Sequence, residues 1–306
     1  MIPTVPPASN AAVPTASPTA SGAANPCDTC SACCRSYAVP LCGHDVWQIS
    51  ARQRLSPEQF VLLYPEQEPR PEAFQLEAGG QPYTLVLDKK GRFALKSACV
   101  FLVELPGGHA RCGVYGHRPV VCQSYPMSMW SRVVRPRRET LCPPDSWPPA
   151  AVTNPRWAAA LQRLCLHQDI YCEVVTRWNA RVAAHPERGF ALMEFFSFLL
   201  NVYQRLDAIR QELGEEGMAR VEASWPTFPR PPYDSHEALS GAGGQPWLSY
   251  FLRVRRVLDA FYPEVPPQPP SLRPTPPAPP DAAPQPVERP AAPDPLAALP
   301  PVVVPV

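Results

Sequence analysis

Four cysteines fall within eight residues, Cys27-Asp-Thr-Cys30-Ser-Ala-Cys33-Cys34, and this density constrains the chain more than any hydrophobic pattern does. A C-x2-C-x2-C run lets one tight loop present several thiolates to a common centre, as in bacterial ferredoxins, where the fourth ligand comes from elsewhere. Cys27, Cys30 and Cys33 have that spacing. Cys34 points elsewhere on the backbone, so which of Cys33 and Cys34 is a ligand stays open, as does the number of centres. Four further thiols, Cys99, Cys112, Cys122 and Cys142, follow before a long helical stretch that holds only Cys165 and Cys172.

Zinc competes with iron–sulfur for such a set, because Zn²⁺ also takes four thiolates. Zinc ribbons usually offer two C-x2-C knuckles, and only the first half of this chain has one. The spacing therefore favours an iron–sulfur cluster or iron, with zinc as the alternative. Cys42, Cys165 and Cys172 read as core packing, since free cysteine behaves as a small hydrophobe. His44, His109 and His117 can each stand in for a thiolate, although isolated histidines are more often surface or hydrogen-bonded residues.

The 45 prolines are polarised along the chain and limit how much of it packs. Residues 1–26 carry no charged side chain and no apolar periodicity, which predicts a disordered tether. Runs such as Pro266-Pro267-Gln268-Pro269-Pro270 predict an extended, unfolded tail over 263–306, a docking ligand for some protein partner. A cysteine-cluster domain over 27–150 and a helical region over 151–262 make up the globular remainder.

A formal net charge of +1 without a long basic block gives no footprint for nucleic acid. The run Arg132 to Arg138 reads as a solvated hairpin or loop. No N-terminal segment has the pattern of a secretory signal, and Phe190 to Tyr203, the most apolar run, is short and interrupted by Glu194, Ser197 and Asn201. The expectation is a cytoplasmic protein, off the membrane, whose thiols are reduced and available to metal.

Asp45 with Gln48 has capping-box spacing and predicts a helix starting there; Ser56-Pro57-Glu58-Gln59 predicts a second helix through Phe60 to Leu63. Tyr83 to Leu87 and Arg92 to Lys96 flank Asp88-Lys-Lys-Gly91 as a β-hairpin. Val100 to Glu104 and Ala110 to Cys112 form another, which brings Cys99 and Cys112 together. Arg118-Pro119 opens a short helix carrying Cys122, which Tyr125-Pro126 ends. Helical spacing runs over 157–184, 189–223 and 247–261, for example at Leu192, Phe195, Phe196, Leu199 and Tyr203. The expected class is α+β, mostly α: a small cysteine-bearing β-hairpin region around a metal site, packed on helices.

The combined pattern of Cys27-x-x-Cys30-x-x-Cys33-Cys34, Cys99-Val-Phe-Leu102, Cys112-Gly-Val-Tyr115-Gly-His-Arg118-Pro119-Val-Val-Cys122 and Tyr125-Pro126 resembles the YkgJ-type cysteine-cluster family, described as zinc- or iron-chelating. The resemblance covers roughly residues 27–142. It implies chelation without a settled reaction. Flagellin lysine methylases share a similar signature, there associated with an iron–sulfur centre and methyl transfer from S-adenosylmethionine, so a redox or methyl-transfer enzyme is a further alternative. Yet no G-x-G-x-x-G loop or hydrolase motif stands out, and no catalytic residue is assigned. Matching the family motif, Arg118 either neutralises a thiolate centre from its second shell or locks the short helix by a salt bridge; Tyr115 reads as core rather than as a redox relay.

Overall fold

The computed structural model describes residues 30–261, except 69, 92–96, 107–108, 131–132, 144–145, 148–151 and 227–244. The expected N-terminal tether and proline-rich tail lie outside the described residues, as does Cys27.

The helical part is centred on α4, Pro155–Ala184. Asn154 caps it, its Oδ1 accepting from Arg156 N at 3.0 Å, and Pro155 occupies the first turn, where no amide partner is needed. From Leu166 to Trp178 most side chains are buried on all sides, the mark of a helix surrounded by protein. Two of its buried polar groups are matched: Trp225 Nε1 donates to Asp169 at 2.7 Å, and Arg177 pairs with Asp259 at 2.7 Å. Trp178 is fully buried, stacks on Phe198, meets Phe190 and Phe195 edge-on, and donates to Gln75 O at 2.7 Å.

Two further helices cover α4: α5, Leu192–Ser224, and α6, Pro246–Phe261. Glu194 closes the start of α5 by accepting from Ala191 N at 2.9 Å. Gly214 interrupts α5 at φ 66, a left-handed conformation that costs glycine little. Phe195, Phe196, Leu199 and Tyr203 are buried, as their spacing predicted.

Residues 30–136 form short elements: α1, Ala32–Ser36; α2, Gly43–Gln53; β1, Val61–Pro65; β2, Tyr83–Leu87; β3, Leu102–Glu104; β4, Ala110–Cys112; α3, Val120–Ser124; β5, Met127–Trp130; and β6, Val133–Pro136. The strands pair as three antiparallel two-stranded ribbons, β1 with β2, β3 with β4, and β5 with β6. The α+β, mostly α class holds. The basic run 132–138 overlaps the β5–β6 ribbon. One hydrophobic cluster continues from Leu41 to Leu258, because α2 and α3 pack directly on the long helices. A Cβ on Gly43 would lie 2.3 Å from Tyr203 Cε2, so glycine allows the close approach of α2 to α5. No helix among the described residues is long and apolar enough to cross a membrane.

Three local expectations change. α2 starts two residues ahead of Asp45, which sits at the third helical position, with Cys42 as the cap. Asp45 accepts from Cys42 N at 3.0 Å, so the capping box runs backwards from Asp45 rather than forwards to Gln48. The Ser56–Gln59 box exists but closes a single 3-10 turn, Pro57–Gln59; the chain then becomes strand, because Val61 pairs with Leu87 and burial against β2 outweighs the local helix signal. Tyr83–Leu87 therefore has β1 as its neighbour, while 92–96 lie outside the described residues.

Candidate metal centre

The cysteine-bearing segments come together through backbone contacts. Ser31 adopts φ 46 and reverses the chain into α1, which carries Cys33 and Cys34. Cys99 N donates to Cys34 O at 2.7 Å, tying the first cysteine segment to the second. Lys89 and Cys99 form an antiparallel bridge, and the β3–β4 register sets Leu102 opposite Cys112. The expected proximity of Cys99 and Cys112 is present: negative charge on Cys112 is among the causes that raise the Cys99 thiol. α3 carries Cys122 and is held at its start by Asp45 Oδ1, which accepts from Val120 N at 2.9 Å. Thr140 Oγ1 accepts from Cys142 N at 3.1 Å and lies 2.9 Å from Tyr125 OH, which also accepts from Leu141 N at 3.0 Å. Tyr125, the C-cap of α3, thus holds the last cysteine segment in place.

These segments enclose a cavity of about 1070 Å³ whose wall includes Cys30, Cys33, Cys34, Cys99, Cys112, Cys122 and Cys142. Every predicted cysteine ligand within the described residues is on that wall. Among the described residues, no three His, Cys, Asp or Glu side chains stand as a ready group for one ion; the thiols ring the space instead of converging on a point. The three candidate histidines are not on the wall. His44 is buried against His167, His117 meets Gln53 Nε2 at 2.6 Å, and His109 is exposed. Cys42 and Cys172 are buried in the core and Cys165 packs against it, as expected.

Electrostatics separate the thiols. Cys34 is lowered to about 7, chiefly by a hydrogen bond from Cys33 that outweighs desolvation, with help from Lys89, Arg118 and Arg35. Burial pushes Cys99 up to about 11, and raises Cys112 and Cys122 as well. Negative charge on Cys34 contributes to all three upward shifts, which places Cys34 within electrostatic reach of each. A metal ion reverses this repulsion, since thiolate ligation favours the deprotonated form that burial alone opposes.

Arg111, Arg118 and Arg137 lie on the cavity wall, while Lys89 and Arg35 act on Cys34 from off the wall. Arg118 lines the cavity, lies 4.4 Å from the centre of the Tyr115 ring and lowers both Cys34 and Cys112. No salt bridge of Arg118 occurs among the described residues. Tyr115 is 48% exposed and lines the cavity beneath that guanidinium, which corrects its expected place in the core. Arg35 lies further out, paired with Glu104 at 2.7 Å.

Lys89 was not legible as a site residue, because Asp88-Lys-Lys-Gly91 reads as a polar turn. Its side chain is only 6% exposed, its Nζ has no hydrogen-bond partner among the described residues, and its charge acts on Cys99, Cys34, Cys33 and Cys122. A buried ammonium without a partner is costly, and thiolates supply the missing opposite charge. Thiol donors and an orphaned cation together fit a metal–thiolate centre.

The cysteine wall spans the residues that a known family model recognises. Residues 26–143 match the CxxCxxCC family, described as "Putative zinc- or iron-chelating domain". The match covers the cysteine-bearing part of the chain. That description supports metal binding here and leaves the metal unspecified. No curated protein and no solved structure matches the chain. The matched segment contains all seven wall cysteines, Lys89 and Arg118, while α4, α5 and α6 lie beyond it.

Proposed function

We propose that the cysteine-bearing part of the chain holds an iron–sulfur cluster, or iron, through thiolates drawn from its separate cysteine segments. The observation that carries this reading is the set of seven cysteines around one cavity. A single structural zinc takes four thiolates converging within bond length of one point. Seven thiols spread around about 1070 Å³ exceed that need and suit a multi-atom centre, or two centres.

Within the set, Cys34 is the ligand of the Cys33–Cys34 pair. Cys33 donates to it, and Cys34 is the thiol with the depressed pKa and the neighbour common to Cys99, Cys112 and Cys122. Cys99, Cys112 and Cys122 complete the inner set, and Arg118 offsets the resulting negative charge. When bound, the centre supplies one-electron or Lewis-acid chemistry. The chain contributes orientation, through Asp45 at the start of α3 and Tyr125 behind Cys142, and partial exclusion of water.

Anaerobic purification tests this directly. The expected protein is coloured, absorbs near 400 nm, and contains iron with acid-labile sulfide. Colourless protein with stoichiometric zinc and neither iron nor sulfide overturns the iron reading and leaves a zinc-stabilised module in its place.

A further inference from the structure

We infer that Lys89 is the internal counter-cation of the thiolate centre, a residue whose charge is neutralised only when the cysteines around it are ligated. The inference rests on the metal reading of the cavity and goes beyond its ligands.

Four thiolates around one divalent ion leave a double negative charge, and a doubly positive cubane core with four thiolates leaves the same. Such a charge in a partly enclosed cavity needs positive groups close by. Arg118 and Arg35 sit where solvent or other partners also reach them: Arg118 on the exposed Tyr115 ring, and Arg35 with Glu104. Lys89 differs from both. It is buried and has no hydrogen-bond partner among the described residues.

The backbone explains why the side chain stays inside. Lys89 N donates to Asp88 Oδ1 at 2.6 Å, Lys90 N donates to Ala98 O at 2.7 Å, and the Lys89–Cys99 bridge fixes the register. Bridged antiparallel residues project to the same face, so the register that sets Cys99 on the cavity wall keeps Lys89, itself off the wall, within electrostatic reach of Cys99, Cys34, Cys33 and Cys122. Without metal this arrangement leaves a buried ammonium among thiols that are mostly neutral, which destabilises the chain. Ligation converts the same thiols to thiolates, and the cation then stabilises the loaded form.

The two states therefore respond oppositely to loss of the charge. The test compares full-length wild type, Lys89→Met and Lys89→Arg, purified anaerobically, with and without the metal that wild type retains. Expected for Lys89→Met is a metal-free form that melts higher than metal-free wild type, and an affinity about tenfold weaker in chelator competition. If the centre is redox-active, a tenfold change in the oxidised-to-reduced ratio moves its potential by about 59 mV, here downward. Lys89→Arg keeps the charge and should retain affinity within about threefold. Affinity of Lys89→Met within twofold of wild type, or a metal-free form that melts lower, overturns the inference. If Lys89→Met does not fold, a folded Lys89→Arg that has lost the metal overturns it equally. Wild type that retains no metal overturns the reading of the cavity and this inference together, whereas loaded wild type with an unaffected Lys89→Met overturns the inference alone.

Discussion

The cysteine cavity and the His44–His167 stack are two polar clusters joined through Asp45, and they bury their titratable groups on different terms. Asp45 accepts from Val120 N, at the start of the helix that carries Cys122, and stands next to His44 in α2. Around the cavity, several buried thiols repel one another's charge, and the buried Lys89 ammonium has no hydrogen-bond partner among the described residues. At the stack, two buried imidazoles lie face to face with ring centroids 3.7 Å apart and planes 3° from parallel. Burial holds both in the neutral form, His44 down to about 3, with Arg210 and Arg163 adding to it. One cluster is arranged for charge to arrive, the other for charge to stay away.

Removing ligands should separate the regions most sharply. Cys34→Ser and Cys122→Ser are expected to abolish stoichiometric metal, whereas Cys172→Ser, in the core of α4, should retain it; elemental analysis of the purified proteins reads this out. Equal metal in all three would erase the distinction between wall and core cysteines. A large effect in the opposite sense is expected at Trp178. Trp178→Ala removes a fully buried ring among Phe190, Phe195 and Phe198 and should cost about 3–5 kcal/mol in denaturant unfolding. Metal per folded molecule should stay constant, and its loss would mean that the helices and the cavity are not separable.

Acid sharpens the comparison further. A histidine whose folded pKa is depressed contributes stability that is complete above its unfolded value, near 6.5, and lost as pH falls towards about 3. At pH 4 the loss from His44 is about 3 kcal/mol by that linkage, with His167 acting in the same direction. Asp45 acts oppositely between pH 4 and 6, because burial raises it to about 6 and its contribution is lost as pH rises. His44→Leu isolates the histidine: urea unfolding at pH 7 and pH 4 should show a smaller drop than wild type, by about the same amount. Parallel curves would show that His44 is not held neutral.

Much of the architecture follows from local pattern. Each long helix begins within three residues of its expected start, because proline, Asn154 and Glu194 mark helix starts chemically and buried faces repeat with helical spacing. The Ser56–Gln59 signal was also real, yet it yielded one turn, since Val61 pairs with Leu87, 26 positions on, which no local window weighs. Tyr115 moved from expected core to cavity wall for a similar reason: an aromatic ring that carries a guanidinium can remain exposed.

For the site, the cysteines alone pointed to metal, because C-x2-C spacing concentrates thiols within one short segment. The sequence left Cys33 and Cys34 equivalent and hid Lys89 in a polar turn. Telling the neighbouring thiols apart depends on which charges lie near each, as Cys34 is lowered by Cys33, Lys89, Arg118 and Arg35, and burying the lysine goes with its bridge to Cys99. Chain composition determined that this protein carries a thiolate site beside a helical core. Only tertiary structure decided which cysteines share one cavity wall and that Lys89 is buried near them, because both follow from contacts between segments remote in sequence.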